Sequence, residues 1–172
     1  MIQINEQLRL IPYHEKYLDQ AFIWYQDTNL VYLVDGIREP YTKEKLIRMY
    51  HYLRDHGELY FIEYQNKLIG DVTFSSEDLP IVIVPDYQGK HIGTMIIHYF
   101  IKQAKKQGIQ SLHVQEIYNY NKASIGLFEK CGFKKDKKTK KGWSYSLQID
   151  SWNFFKDKVT YSDREDGSCQ KI

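Results

Sequence analysis

Apolar positions change period several times along this chain, and each change marks an element. Leu8 to Pro12 reads as a first strand. Tyr17, Leu18, Ala21, Phe22 and Tyr25 recur at helical spacing and predict a helix over 13–26, followed by a polar, Gly-containing connection from Asp27 to Pro40. Thr42 caps a second amphipathic helix with Leu46, Met49, Tyr50 and Leu53 on one side, which stops at His56-Gly57. Two strand-like runs, 59–64 and 67–74, flank Gln65-Asn66 as a hairpin, and 79–84 adds a third strand. Ile92 to Gln107 is a long helix ended by Gly108, and 111–117 is a strand. Asn121 caps a short helix, Gly132 ends it, and Phe133–Asp136 with Trp143–Ile149 form a last hairpin. The order β-αα-βββ-α-β-α-ββ is that of an α/β fold on a mixed sheet.

Composition narrows the classes. A chain of 172 residues, 42% hydrophobic and 27% charged, suits one globular domain. Residues 1–150 hold the pattern, and 151–172 read as a C-terminal extension. There, Trp152, Phe154 and Phe155 could dock on the domain or on a second subunit, which leaves room for a homodimer, and the polar 163–172 ends the chain. No apolar run approaches the ~20 residues of a membrane span, and Met1 to Glu6 lacks the features of a signal peptide. Cys131 and Cys169 make no disulfide framework, so a reducing, cytoplasmic setting is expected. Six histidines show no metal-ligand spacing, so no metal is expected. A net charge of +2 argues against a nucleic-acid partner. The lysine run 134–141 reads as a solvated turn, without the aromatic interleaving of a stacking platform. The fifteen tyrosines suit either a partly wet cleft or strand faces.

Two segments carry candidate chemistry. Ile81-Val82-Ile83-Val84-Pro85 is a strand end, and Asp86-Tyr87-Gln88-Gly89-Lys90-His91-Ile92-Gly93-Thr94 turns into a helix. The first turn of a helix has unpartnered N–H groups and the positive end of the dipole, a ready site for phosphate. The second segment is Asn121-Lys122-Ala123-Ser124-Ile125-Gly126-Leu127-Phe128-Glu129-Lys130-Cys131-Gly132-Phe133. Together, in this order, they resemble the GNAT superfamily of acyl-CoA N-acyltransferases over roughly residues 8 to 150. Gln88 to Gly93 is similar to its Arg/Gln-x-x-Gly-x-Gly/Ala motif, and Asn121 to Phe133 to its Asn-x-x-Ala/Ser helix ending in Gly-Phe.

The resemblance implies a mostly antiparallel central sheet flanked by helices and an acetyl-CoA-dependent N-acetyltransferase. It would acetylate a primary amine of a small molecule or peptide by direct attack in a ternary complex. A non-catalytic acyl-CoA-binding or sensor module on the same fold is the alternative. By the resemblance, Ile81, Val82 and Ile83 hold the thioester arm through their backbone, and Gln88, Gly89, Lys90, His91, Ile92, Gly93 and Thr94 hold the pyrophosphate. Asn121 reaches the pantetheine through its side-chain amide, and Phe128 lies beside it. Two residues depart from the family pattern. His91 replaces a motif Gly and is expected to take an ordinary first-turn conformation, since a helix start does not itself demand positive φ. Phe128 replaces a Tyr that protonates the departing thiolate, which Phe cannot do; Tyr118 and Tyr120 are the nearest hydroxyls in sequence.

Glu77 matches the catalytic carboxylate of some branches, with Leu79 and Ile81 expected on its face and Asp78 turned away by alternation. Asp71 and Glu116 are fallback carboxylates. The acceptor is expected near Trp24, Tyr25, Asp27, Tyr32 and Asp35, where aromatics and carboxylates suit a cationic amine.

Overall fold

Gln65 and Asn66 hold φ of +50° and +62°, the pair of left-handed residues that a tight hairpin between right-twisted strands requires. This turn sits near the middle of a computed structural model that describes residues 1–152. Along the chain run β1 (Ile2–Gln3), β2 (Leu8–Pro12), α1 (Leu18–Trp24), α2 (Thr28–Asp35), α3 (Lys43–His56), β3 (Glu58–Tyr64), β4 (Lys67–Phe74) and β5 (Ile81–Ile83). They are followed by α4 (Ile92–Lys106), β6 (Ser111–Tyr118), α5 (Lys122–Lys130), β7 (Lys134–Lys138) and β8 (Gly142–Gln148).

Five strands form one antiparallel sheet in the order β1-β2-β3-β4-β5, and three form a second in the order β6-β8-β7. The sheets meet through two hydrogen bonds, His113 N–H to Ser76 O and Gln115 N–H to Asp78 Oδ1, both 3.0 Å. Residue numbers rise together across this seam, so the chains run parallel there, and the whole is a mixed, mostly antiparallel α/β arrangement flanked by helices. Alternate residues of the large sheet face opposite ways. Leu8, Leu10, Tyr60, Ile62 and Val72 join the apolar face of α4, including Ile96, Ile97 and Phe100. Leu59, Phe61 and Val82 join α1, α2 and α3 through Trp24, Leu30, Val31, Leu46 and Tyr50. Gly70 lets β5 close on β4, because a Cβ there would lie 1.9 Å from Val82 O.

Several elements differ from the sequence reading. The first helix is shorter than 13–26: His14 Nδ1 accepts the Lys16 N–H and starts a 3₁₀ turn over Glu15–Tyr17, and α1 spans only Leu18–Trp24. The expected connection 27–40 contains α2, capped by Asp27 and closed by Gly36 at φ +72°. Two turns of helix gain little from propensity alone, and α2 is held by packing of Leu30 and Val31. The strand expected over 79–84 is three residues long, since Pro80 has no N–H to donate. Only the end of the lysine run, 139–141, is a turn, closed by Thr139 N–H to Gly142 O; Lys134–Lys138 is an exposed edge strand paired with β8, where charge discourages pairing with another chain. Ile2–Gln3 adds a strand that the sequence pattern did not reveal. Trp152 packs on the first apolar cluster with its ring 5.5 Å from His98; Phe154, Phe155 and the polar 163–172 segment lie outside the described residues.

One buried charge stands out. Asp71 on β4 is 3% exposed, and its Oδ2 accepts hydroxyl donations from Tyr25 (2.9 Å) and Tyr50 (2.8 Å). Burial raises its pKa from 3.8 to about 6, outweighing the two hydrogen bonds that lower it. The folded state therefore holds this proton more tightly than the unfolded one. Asp71's contribution to stability is fully present below pH 3.8 and is lost as pH rises to about 6, on the order of 3 kcal/mol. Asp71→Asn keeps one carbonyl oxygen for both tyrosines but removes the titration. Urea unfolding at pH 4 and pH 7 should show the variant gaining stability relative to the parent as pH rises; a constant difference would contradict the burial of a titrating carboxyl.

Candidate functional site

The site begins where β5 stops being part of a continuous sheet. Thr73 N–H donates to Pro80 O (3.0 Å) and Val84 N–H to Ile69 O (2.9 Å). In an antiparallel ladder the bonded residues alternate, so Ile81 and Ile83 turn their N–H and C=O groups to the other edge. That edge has no partner strand, because β6 leaves it beyond Asp78 and Gln115. Two adjoining cavities fill the opening, of about 330 Å³ and 290 Å³. They share Leu33, Val34, Ile81, Val82, Asn121 and Ser124.

The first cavity ends at the N-terminus of α4. No side chain caps this helix, so the N–H groups of Ile92, Gly93 and Thr94 are left for a ligand. His91, the residue before it, sits at φ +60°. The expectation of an ordinary first-turn conformation is thus wrong: the position is left-handed, as its usual glycine implies, and His91 holds it at a steric cost. Its ring lies 3.2 Å, Nδ1 to Nζ, from Lys130 of α5, and both residues line the cavity. Cationic side chain, helix dipole and open amides make this end a fit for phosphate.

The second cavity has the opposite character. Asp78, Glu116 and Tyr118 line it with Leu79, Pro80, Val114, Ile117 and Phe128. Asp78 is half-buried, and burial raises its pKa against the opposing donations from Gln115 and Leu79 N–H. Glu116 is exposed and accepts from Thr139 Oγ1 and from Lys141 N–H.

α2 roofs both cavities through Leu33 and Val34 and is tied across the cleft. Asn121 Nδ2 donates to Leu33 O (3.3 Å), while its Oδ1 caps α5 by accepting Ser124 N–H (3.1 Å). Tyr120 donates its hydroxyl to Tyr32 O (3.0 Å) and stacks on Tyr32, 4.4 Å away and 13° from parallel. Tyr118 also stacks with Tyr120 at 5.3 Å, and Arg38 covers Tyr32 at 4.1 Å.

The residues singled out from the sequence divide accordingly. Ile81, Val82, Ile83, Gln88, Gly89, His91, Ile92, Gly93, Thr94 and Asn121 all line the first cavity. Gln88 also braces the strand end, donating from Nε2 to Ile83 O at 2.8 Å. Lys90 does not line it; its ammonium lies 4.9 Å over the Tyr87 ring. Phe128 belongs to the second cavity and packs edge-on against Phe133. Asn121 gives one amide N–H to α2 and its oxygen to the α5 cap, so it ties the two helices while lining both cavities. Glu77 lies in a bend before β5, exposed, bonded to Ser76 Oγ at 3.2 Å; the shared apolar face with Leu79 and Ile81 does not form, because the strand starts only at Ile81. Trp24 and Tyr25 are buried in the second apolar cluster, Asp27 caps α2, and Asp35 pairs with Lys45 at 2.6 Å, so none of these four lines either cavity.

The sequence reading missed Leu33 and Val34, Ser124, Lys130 and Asp78. The signal for the first two was present: Asp27 as a cap with Leu30, Val31 and Val34 at helical spacing. Among the described residues no group of three or more His, Cys, Asp or Glu could hold a metal ion, and no helix is long and apolar enough to cross a membrane.

The family model of the Acetyltransferase (GNAT) family matches residues 12–133. The chain belongs to the GNAT family. Solved structures share its fold at low identity. A domain from Methanocaldococcus jannaschii is 23% identical, with a TM-score of 0.72 over 84% of this chain and 99% of that one. The spermidine N-acetyltransferase of Vibrio cholerae, in complex with CoA and spermine, is 18% identical, with a TM-score of 0.66 over 86% and 99%. An acetyl transferase of Salmonella typhimurium that modifies the N-terminal serine of ribosomal protein L7/L12 is 14% identical, with a TM-score of 0.67 over 86% and 98%. No curated protein sequence matches the chain significantly. In this GNAT chain the tie from Asn121 to α2 can be read directly. Asn121→Asp keeps the acceptor for Ser124 N–H but sets a carboxylate oxygen against Leu33 O. Hydrogen exchange should accelerate in the last turn of α2, at Val34 to Gly36, with Ser124 remaining protected; equal protection of α2 in both proteins would show that the tie carries no weight.

Proposed function

We propose that this GNAT chain is an acetyl-CoA-dependent N-acetyltransferase acting on a primary amine of a small molecule or peptide. The observation that carries this reading is the polarity of the joined cavities. The end at α4 offers open amides, His91 and Lys130 to an anion, and the far end offers Asp78 and Glu116 to a cation, with the outward backbone of Ile81 and Ile83 between them. Acetyl-CoA supplies an activated acyl group on a phosphate-bearing arm. The α4 amides would hold its phosphates, and the edge of β5 would align the arm by backbone hydrogen bonds, leaving side chains free to pack. A backbone N–H of that edge would meet the negative charge that grows on the carbonyl oxygen. The carboxylates of the second cavity would draw in an alkylammonium. That relatives of the same fold are described with CoA and spermine, or as modifying a protein N-terminus, supports an amine acceptor of this kind.

Phe128 favours a second reading, a module that binds acyl-CoA without turnover, since its ring has no proton to give to a departing thiolate. Tyr120 is committed to Tyr32 O, but Tyr118 lines the second cavity, and burial raises its pKa and keeps its phenol protonated. Under the first reading we assign that proton to Tyr118, the hydroxyl that lines the second cavity.

Acetyl-CoA titration calorimetry and thiol release with a panel of polyamines, aminoglycosides and peptides separate the two readings. Gly93→Glu puts a carboxylate at the phosphate end, with a Cβ 3.0 Å from Leu127 Cδ2. It should weaken acetyl-CoA binding by at least about tenfold, about 1.4 kcal/mol, while Gly93→Ala, which presses only on the mobile end of Leu127, should bind. Unchanged affinity in Gly93→Glu would remove the α4 turn from the binding site. Binding without thiol release for any amine would favour the non-catalytic module.

A further inference from the structure

We propose that Asp78 is the general base of the acetyl transfer, taking the acceptor's proton on Oδ2 at the apex of the cleft. The inference rests on the acetyltransferase reading and reverses the assignment to Glu77.

A base must be fixed in place, keep a lone pair free, and sit where its carboxylate is not too well solvated. Asp78 meets all three. Its Oδ1 accepts two backbone N–H groups, Leu79 at 3.1 Å and Gln115 at 3.0 Å, one from each side of the seam. Its backbone is locked to Ser75, whose Oγ accepts Asp78 N–H at 3.0 Å and donates to Asp78 O at 2.9 Å. Among the described residues no hydrogen bond engages Oδ2, and the residue lines the second cavity with Pro80, Ile81, Val114 and Phe128. Those apolar neighbours account for the raised pKa. Because the two sheets part at this residue and it lines the second cavity, its carboxylate borders the space beside the open edge of β5, where the proposal puts the amine.

The other carboxylates fail one condition each. Glu77 is exposed in the preceding bend and lines neither cavity. Glu116 is exposed, and its Oε1 is held by Thr139 and Lys141. Asp71 is enclosed by Tyr25 and Tyr50 and lines neither cavity.

In the proposed step the bound alkylammonium first gives one proton to Asp78. The neutral nitrogen then bonds to the acetyl carbon as the carbon–sulfur bond breaks, its electron pair leaving with coenzyme A as the thiolate, and the nitrogen's second proton ends on that sulfur as the thiol. The proton held on Asp78 Oδ2 passes to solvent before the next turnover. The titratable groups around Asp78 are Glu77 on its own loop and His113, Glu116 and Tyr118 on β6; α2 and α5 present only Leu33, Val34, Ser124 and Phe128 to the cavity.

The test uses the full chain and any amine of the panel that turns over. Asp78→Asn retains an oxygen for both N–H donors, so acetyl-CoA affinity by calorimetry should match the parent. Its kcat should fall about 100-fold or more, and the acidic limb of kcat/KM against pH should disappear. Glu77→Gln and Glu116→Gln should keep that limb. Asp78→Glu keeps a carboxylate displaced by one methylene, so its limb should persist with a shifted midpoint and a lower kcat. This variant decides the matter if Asp78→Asn fails to fold, and an unmoved midpoint then overturns the proposal. A parental rate and profile in Asp78→Asn, or loss of the limb in Glu116→Gln instead, overturns it alone. A panel with no turnover at all overturns the acetyltransferase reading along with it.

Discussion

The structure depends on one missing ladder. β5 and β6 approach each other in parallel, and the ordinary outcome would be one continuous sheet with every edge amide bonded. Instead, the carboxylate of Asp78 takes the Gln115 N–H that a strand carbonyl would otherwise accept. Pro80 lacks the donor needed to resume pairing, and β6 slips its register between Val114 and Ile117 against β8. The strands then diverge, leaving the N–H and C=O of Ile81 and the N–H of Ile83 with no strand to bind, while Ile83 O is taken by Gln88 Nε2. Open backbone of this kind is costly to bury and useful to offer, because an extended ligand arm can complete the edge without a single dedicated side chain.

The rest of the fold holds that opening in shape. α4 packs its apolar face under the large sheet and so fixes its own bare N-terminus at one end of the gap. α5 brings Lys130 to the same end and Phe128 to the other. α2 closes the top, held less by its own two turns than by Asn121, Tyr120 and the ring stack that runs from Arg38 through Tyr32 and Tyr120 to Tyr118. Loss of any one contact in such a stack costs little, about 1 kcal/mol, so the roof can loosen without unfolding the sheet beneath it.

What the sequence made legible follows from how local each signal was. The Gln65-Asn66 turn, the Thr42 and Asn121 caps and the Gly108 stop each depend on a few neighbouring residues, and all stand in the structure. The ten cavity residues from Ile81 to Thr94 and at Asn121 were visible because two motifs at the right separation define one architecture. α2 was passed over because Asp27, Thr28, Asn29 and Gly36 read as loop residues and outweighed the helical spacing of Leu30, Val31 and Val34 when their packing is unknown. The residues expected near the acceptor from aromatic and acidic character line neither cavity for the same reason: Trp24, Tyr25 and Asp35 have partners in the fold that composition does not show.

Glu77 and Asp78 show the limit most sharply. Strand alternation sends two adjacent residues to opposite faces, and it favoured Glu77 only on the assumption that the strand already existed there. Pro80 delays the strand to Ile81, so alternation does not govern residues 77 and 78 at all. Their orientations are set by hydrogen bonding: Ser75 pins the backbone of Asp78, and Gln115, distant in sequence, turns its carboxylate into the seam. A contact between residues 37 positions apart leaves no periodic trace. A side chain whose structural task is to end a sheet thus also lines the opening that the parting of the strands creates.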